Sequence, residues 1–128
     1  MTNLVESIPY ARFLGVTVER AEDGLHCILP FRDEIVGNQR LPAIHGGVLG
    51  AFLELTAFLH LLDESGSTER IPRPINFSVD YLRSAGPATT TARAEIFKLG
   101  RRIANVHVVA WQQDPKRPVA YGNGKFLL

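Results

Sequence analysis

The sequence predicts an α+β domain in which an antiparallel β-sheet wraps around one long central helix. Three observations predict it. Residues 45–62, HGGVLGAFLELTAFLHLL, form one apolar run of helical length, and a helix apolar nearly all round must be surrounded by other structure. The segments after it alternate apolar and polar residues across short turns, so they pair antiparallel. One face of the last segment reads Ala120, Gly122, Gly124, small enough for the helix or another backbone to come close.

In chain order, MTNLVESIPYARFLG reads as a short amphipathic helix. With Glu6 and Pro9 it lacks the basic start and apolar centre of a secretion signal. Residues 15–20 and 24–31 are predicted strands around the turn residues Glu22-Asp23-Gly24. A polar loop, 32–42, leads to the long helix, which ends near 63–66. The GSTERIPRP stretch beyond it is rich in breakers and predicts a mobile connection. Ile75, Phe77, Val79 and Tyr81 alternate with polar residues, and 89–98, 103–112 and 119–127 complete the sheet, with turns at KLGRR and QDPKRP. No repeat or low-complexity tract interrupts this order, and residues 1–128 are read as a single domain.

Lys and Arg number 14 against 13 Asp and Glu, a net charge of +1, too balanced for a nucleic-acid or membrane-surface partner. A single cysteine, Cys27, excludes a disulfide framework or a cysteine-rich zinc site and fits a reducing cytoplasm. The apolar run has membrane-spanning length, but two histidines, Glu54 and a Gly-Gly pair within it argue against lipid.

Turned on its axis, the helix carries Val48, Phe52, Leu55, Leu59 and Leu62 as one stripe predicted to face the sheet. Glu54 lies about 120° from that stripe, among Gly47, Gly50, Ala51, Phe58 and Leu61, while Thr56 and His60 fall on the opposite flank. Helix geometry leaves two readings of Glu54. It looks into free space that a ligand or a second subunit can enter, or it is a solvent-exposed or salt-bridged surface residue. His45-Gly46-Gly47 opens the helix. Unpaired N–H groups and the positive end of the dipole converge there and suit a phosphate or a polarised carbonyl. No GxSxG, HExxH or phosphate-loop pattern competes. His26 and His107 fall on strands and read as structural.

HGGVLGAFLE, the preceding Asn38-Gln39, VDYLRSAGP and KLGRRIANV, together with PYARFLGV and YGNGKFLL at the two ends, resemble the hotdog-fold thioesterases of the phenylacetate-degradation (PaaI-like) type over essentially the whole chain. The resemblance implies the hotdog fold and hydrolysis of acyl- or aryl-coenzyme A thioesters without metal or other cofactor, coenzyme A being part of the substrate. It implies that the Gly46 N–H polarises the thioester carbonyl and that Glu54 acts from the neighbouring subunit as nucleophile or general base. The working unit is then a homodimer or a dimer of dimers. Gln39, six residues before His45, matches an assisting amide, with Asn38 as the substitute in a shifted register. His45 is assigned to orienting the helix start and the substrate, beside Gly47.

The chain departs from the family pattern in several places. Phe58 stands where one branch has threonine, and Arg83 where another has serine, so the usual water-positioning hydroxyl is missing. Ser84 is the replacement candidate, although strand alternation would point it away from Arg83. Pro42 and the long ESGSTERIP connection are also unusual. Arg83, Lys98, Arg101 and Arg102 suit the phosphates of coenzyme A, the alternative being an ordinary charged hairpin tip. Two rival functions share the fold. One is an acyl-coenzyme A dehydratase or hydratase with Glu54 and His45 as its acid/base pair. The other is a non-catalytic acyl-coenzyme A-binding module.

Overall fold

The computed structural model describes residues 1–66 and 69–128. The mobility predicted for the connection after the long helix falls partly on Ser67 and Thr68, which lie outside the described residues.

The N-terminal helix is two helices, α1 (Thr2–Ser7) and α2 (Pro9–Leu14). Proline disfavours helical geometry in the residue before it, and Ile8 accordingly takes an extended conformation, φ −88° and ψ 111°, with Pro9 opening the second helix. Gly15, predicted to begin a strand, instead caps α2 in the left-handed region at φ 76°. Strand β1 (Thr17–Ala21) then pairs with β2 (Gly24–Leu29) across a two-residue turn, Glu22-Asp23, with Ala21 opposite Gly24.

The loop over 32–42 is more ordered than predicted. A 3-10 turn (Asp33–Ile35) buries Ile35, and a small hairpin follows, β3 (Val36–Asn38) with β4 (Ala43–Ile44). This hairpin delivers the chain to α3 (Gly46–Ser65), capped by Gly66 at φ 65°. The remaining strands are β5 (Arg73–Tyr81), β6 (Thr90–Leu99), β7 (Ile103–Trp111) and β8 (Ala120–Leu127).

The six-stranded sheet runs β1-β2-β6-β7-β8-β5, with every neighbouring pair antiparallel. The short turns pair β6, β7 and β8 in sequence, as predicted. β5 does not pair with β6, the next strand in the chain. It runs along β8 and leaves its other side as a sheet edge.

α3 packs on the sheet, the hotdog arrangement that the resemblance implies, but its buried face is rotated from the predicted stripe. Leu49, Phe52, Leu53, Thr56, Ala57 and Leu59 are buried, whereas Val48 and Leu55 are only half-buried. Much of the sheet's inner surface is small, with Ala92, Ala94, Ala104, Ala110 and Ala120 buried beside Val106, Val108 and Phe126. Such a surface admits Thr56, whose hydroxyl is satisfied by donating to the Phe52 carbonyl at 2.8 Å. Leu55 and Phe58 instead line the pocket that holds Glu54. A stripe counted by bulk alone misses this. The small face of β8 does serve close approach. A Cβ on Gly122 would come within 2.6 Å of the Phe77 ring and 3.4 Å of Leu53 of the helix. Although α3 is long and apolar enough to cross a membrane, here it is the core helix of the sheet.

Candidate active site

The start of α3 is held by its own first residues and by β5. His45 is the N-cap: its Nδ1 accepts the Gly47 N–H at 2.9 Å, and its own N–H donates to the Ile35 carbonyl at 2.8 Å. The imidazole thus replaces the Ser or Asp usual at this position. β3 presses against it so closely that a Cβ on Gly37 would lie 2.8 Å from the His45 Cα. Only glycine fits there. Gly47 spends its N–H on the cap, which leaves the Gly46 and Val48 N–H groups without a partner among the described residues.

Tyr81, at the end of β5, completes this corner. Its hydroxyl donates to the Gly46 carbonyl at 2.7 Å, its ring lies against Gly46, and its hydroxyl oxygen sits over Gly50. The sequence marks Tyr81 only as an alternating strand residue. The available signal was the pairing of a strand-end tyrosine with glycines one turn apart on the helix, which leaves the room an aromatic ring needs. Gly46 and Tyr81 line an open cleft of about 340 Å³ together with Leu49, Arg83 and Ser84. Arg83 and Ser84 follow β5 rather than continuing it. Strand alternation therefore does not separate them, and both reach the same cleft.

Glu54 opens elsewhere. It lines an apolar pocket of about 240 Å³ with Tyr10, Ala51, Leu55, Phe58, Pro74 and Phe126. The side chain is half-buried and makes no hydrogen bond or ion pair among the described residues. At about 1.5 Å of rise per residue, eight residues put Gly46 and Glu54 roughly 12 Å apart along the helix. They also face opposite ends of β5, Gly46 against Tyr81 and Glu54 against Pro74. Within one chain they do not meet over a common atom.

The other predicted residues divide between these two ends. Asn38 and Gln39 are exposed at the β3–β4 hairpin and line neither cleft, and the Asn38 carboxamide oxygen accepts the Arg40 N–H at 3.1 Å. Lys98, Arg101 and Arg102 form the exposed tip of the β6–β7 hairpin, where Ile103 pairs with Leu127 and Leu127 with Arg73. That is the Glu54 end of the sheet. Arg83 lies at the other end, so the four cations expected as one cluster are two groups within a chain.

Cys27 is no nucleophile here. Burial pushes its thiol up to about 11, which leaves it protonated and inert. His26 bonds the Asp23 carboxylate at 2.7 Å and meets Trp111 edge-on, while His107 stacks on Phe97. Among the described residues no three His, Cys, Asp or Glu side chains gather into a metal-binding group.

A small-residue helix start, a strand clamped onto it and a free helix carboxylate coincide with a sequence match. The thioesterase-superfamily profile matches residues 41–119, which takes in the whole of α3 and the sheet from β5 to β7. The chain belongs to the thioesterase superfamily. It is similar to the medium/long-chain acyl-CoA thioesterase YigI of Salmonella typhimurium, with 28% identity over 124 residues, 86% of this chain and 79% of YigI. A solved protein of Chromobacterium violaceum superposes with a TM-score of 0.80 at 38% identity, over 98% of this chain and 87% of that one. A phenylacetic acid degradation-related protein of Ralstonia eutropha shares the fold, with a TM-score of 0.83 at 20% identity over 98% and 97% of the two chains. Thioester hydrolysis is the enzymatic class of this superfamily, and acyl-CoA thioesterase activity is supported at the level of the family.

Proposed function

We propose that this superfamily member hydrolyses acyl-coenzyme A thioesters at a site shared by two copies of the chain, with Gly46 of one and Glu54 of the other. The observation that carries the reading is the placement of the two residues at opposite ends of the edge strand β5. An edge strand offers a row of unpaired N–H and C=O groups to another strand. Two β5 strands paired antiparallel about a two-fold axis bring the Tyr81 end of each against the Pro74 end of the other. Gly46 of one copy then faces Glu54 of the second. The same operation brings Lys98, Arg101 and Arg102 of the second copy to the end that carries Arg83, which reunites the cations around one coenzyme A. The exposed Ile75 on β5 (52%) and the small residues Gly47, Gly50 and Ala51 on the neighbouring helix face suit such a contact.

The chemistry needs little more. A thioester requires a polarised carbonyl and an activated oxygen, while its thiolate is a good leaving group. The Gly46 N–H, aimed along the helix dipole, holds the carbonyl oxygen as it gains charge. As general base, Glu54 takes a proton from water while the water oxygen bonds to the carbonyl carbon. The C–S bond then breaks, and the sulfur leaves with a proton as free coenzyme A. As nucleophile, Glu54 would form an acyl anhydride that water cleaves to the same products. Either route uses this chain's residues without a metal. The apolar pocket around Glu54 suits an acyl tail, in keeping with the medium- and long-chain substrates of YigI. In His45 the Nδ1 is committed to the helix cap, so the dehydratase reading would have to use Nε2 for proton transfer.

Release of free thiol from a series of acyl-coenzyme A esters tests the proposal, and turnover with saturation kinetics is expected. Tight binding with no thiol release would make the protein a binding module. Hydration of an enoyl ester without hydrolysis would make it a hydratase.

A further inference from the structure

A second cleft of about 440 Å³ adjoins the Gly46 cleft and shares Arg83 and Ser84 with it. Arg117 also lines it, a residue that neither the helix motif nor the charged hairpin tip includes. The two arginines come from segments held together by hydrogen bonds, since the Leu82 and Arg83 N–H groups both donate to the Val119 carbonyl, at 2.9 and 3.3 Å. Gln112, Gly86 and Ala88, which line the same cleft, are tied together. The Gln112 carboxamide accepts from the Gly86 N–H at 3.1 Å and donates to the Gly86 and Ala88 carbonyls at 3.0 and 3.3 Å. The one carboxylate in the cleft, Asp114, accepts the Lys116 N–H at 2.9 Å. Neither Arg83 nor Arg117 has a side-chain hydrogen bond or an ion pair among the described residues.

We infer that Arg83 and Arg117 form a phosphate-binding groove that holds the phosphorylated end of the thioester's carrier, running outward from the Gly46 N–H. The inference rests on the proposed thioesterase function. Two unpaired guanidinium groups lining one cleft present forked donors that match phosphate geometry. Their groove is continuous with the cleft where the carbonyl is held. The shared chemistry is a phosphoryl group, which coenzyme A carries as a 3′-phosphate and a diphosphate and which phosphopantetheine carries alone.

The test compares Arg117→Glu with the wild-type protein on four esters of one acyl group: those of coenzyme A, dephospho-coenzyme A, phosphopantetheine and N-acetylcysteamine. The expected result is a rise in KM of about tenfold for the coenzyme A ester, the scale of one lost charge-assisted bond. The rise for the phosphate-free N-acetylcysteamine ester is expected to be clearly smaller. A rise confined to the full coenzyme A ester assigns the groove to the 3′-phosphate, and one that extends to the dephospho and phosphopantetheine esters assigns it to the inner phosphates. Equal effects on all four esters, or no effect on the coenzyme A ester, would overturn the inference. A wild-type protein that hydrolyses none of them would remove the proposed function instead. Calorimetry with adenosine 3′,5′-bisphosphate then decides the groove: binding that weakens in Arg117→Glu upholds it, and absence of binding to the wild type overturns it.

Discussion

The Tyr81 hydroxyl donates to the Gly46 carbonyl at 2.7 Å, and a Cβ on Gly46 would lie 3.5 Å from its ring while one on Gly50 would lie 3.3 Å from its hydroxyl oxygen. This single bond ties the end of the edge strand to the first turn of the core helix. It therefore helps hold the Gly46 backbone, next to the peptide that carries the Gly46 N–H. Tyr81→Phe keeps the ring and removes the bond. Tyr81 is 55% exposed, so the stability loss should stay near 1 kcal/mol or below. Turnover should fall several-fold through a misaimed donor. Steady-state kinetics set beside a urea melt check the split, and a variant with unchanged kcat would show that the clamp does not orient Gly46.

His45 is predicted to matter as a cap. His45→Ala leaves the Gly47 N–H without an acceptor and should cost about 1 kcal/mol. His45→Asn supplies another capping oxygen and should recover most of that loss together with most of the activity. If His45→Asn is as inactive as His45→Ala at full stability, the imidazole itself takes part in proton transfer.

Ile75 tests the edge strand. Ile75→Glu places a charge on the exposed side of β5 and should convert the assembly to monomers that remain folded by circular dichroism but lose most thioesterase activity. Light scattering reads the mass. An assembly of unchanged mass with full activity would exclude this edge as the contact.

Much of the architecture was readable because it is local. The Glu22-Asp23-Gly24 turn, the hairpins at KLGRR and QDPKRP, and the glycine face of β8 are each specified by neighbouring residues, and each forms as predicted. The helix start was readable for the same reason, since HGG concentrates unpaired donors wherever it is placed. What escaped depends on contacts distant in sequence. The rotated face of α3 packs against β6 and β7, which a stripe counted along the helix does not include. The split of Arg83 from Lys98, Arg101 and Arg102, by contrast, was available from the strand order, since the ten residues of β6 run between them. Tyr81 and Gly37 matter only because other strands bring them against residues 45–50. Pro9, in contrast, was visible, and its effect on Ile8 was available from the X-Pro rule alone.

His60 links stability to pH. Burial, opposed in part by nearby Glu64 and Asp63, holds its imidazole below the ordinary value of 6.5, and its Nδ1 is buried without a hydrogen-bond partner. The unfolded chain therefore binds the proton first. Its contribution to stability is complete above about pH 6.5 and is lost as the pH falls from there through the folded-state value. His60→Leu removes the titrating group. Its melting temperature should fall less between about pH 7 and about pH 5 than that of the wild type, and equal slopes would locate the acid sensitivity in other groups.

The shared site is tested most directly by mixing two variants, each expected to be inactive alone. Glu54→Gln removes the carboxylate and should lower turnover on the order of a hundredfold or more. Gly46→Pro removes the N–H with little strain, because Gly46 is the first residue of α3, where proline is tolerated. His45 before it is already extended, at φ −58° and ψ 131°, as a residue preceding proline must be. Co-expression of the two chains gives hybrid dimers in which one site carries both defects and the other carries neither. Recovery to about a quarter of wild-type activity is expected at random assembly. If Gly46 and Glu54 acted within one chain, no intact site could form, and a mixture no more active than its separate components would rule out the shared site.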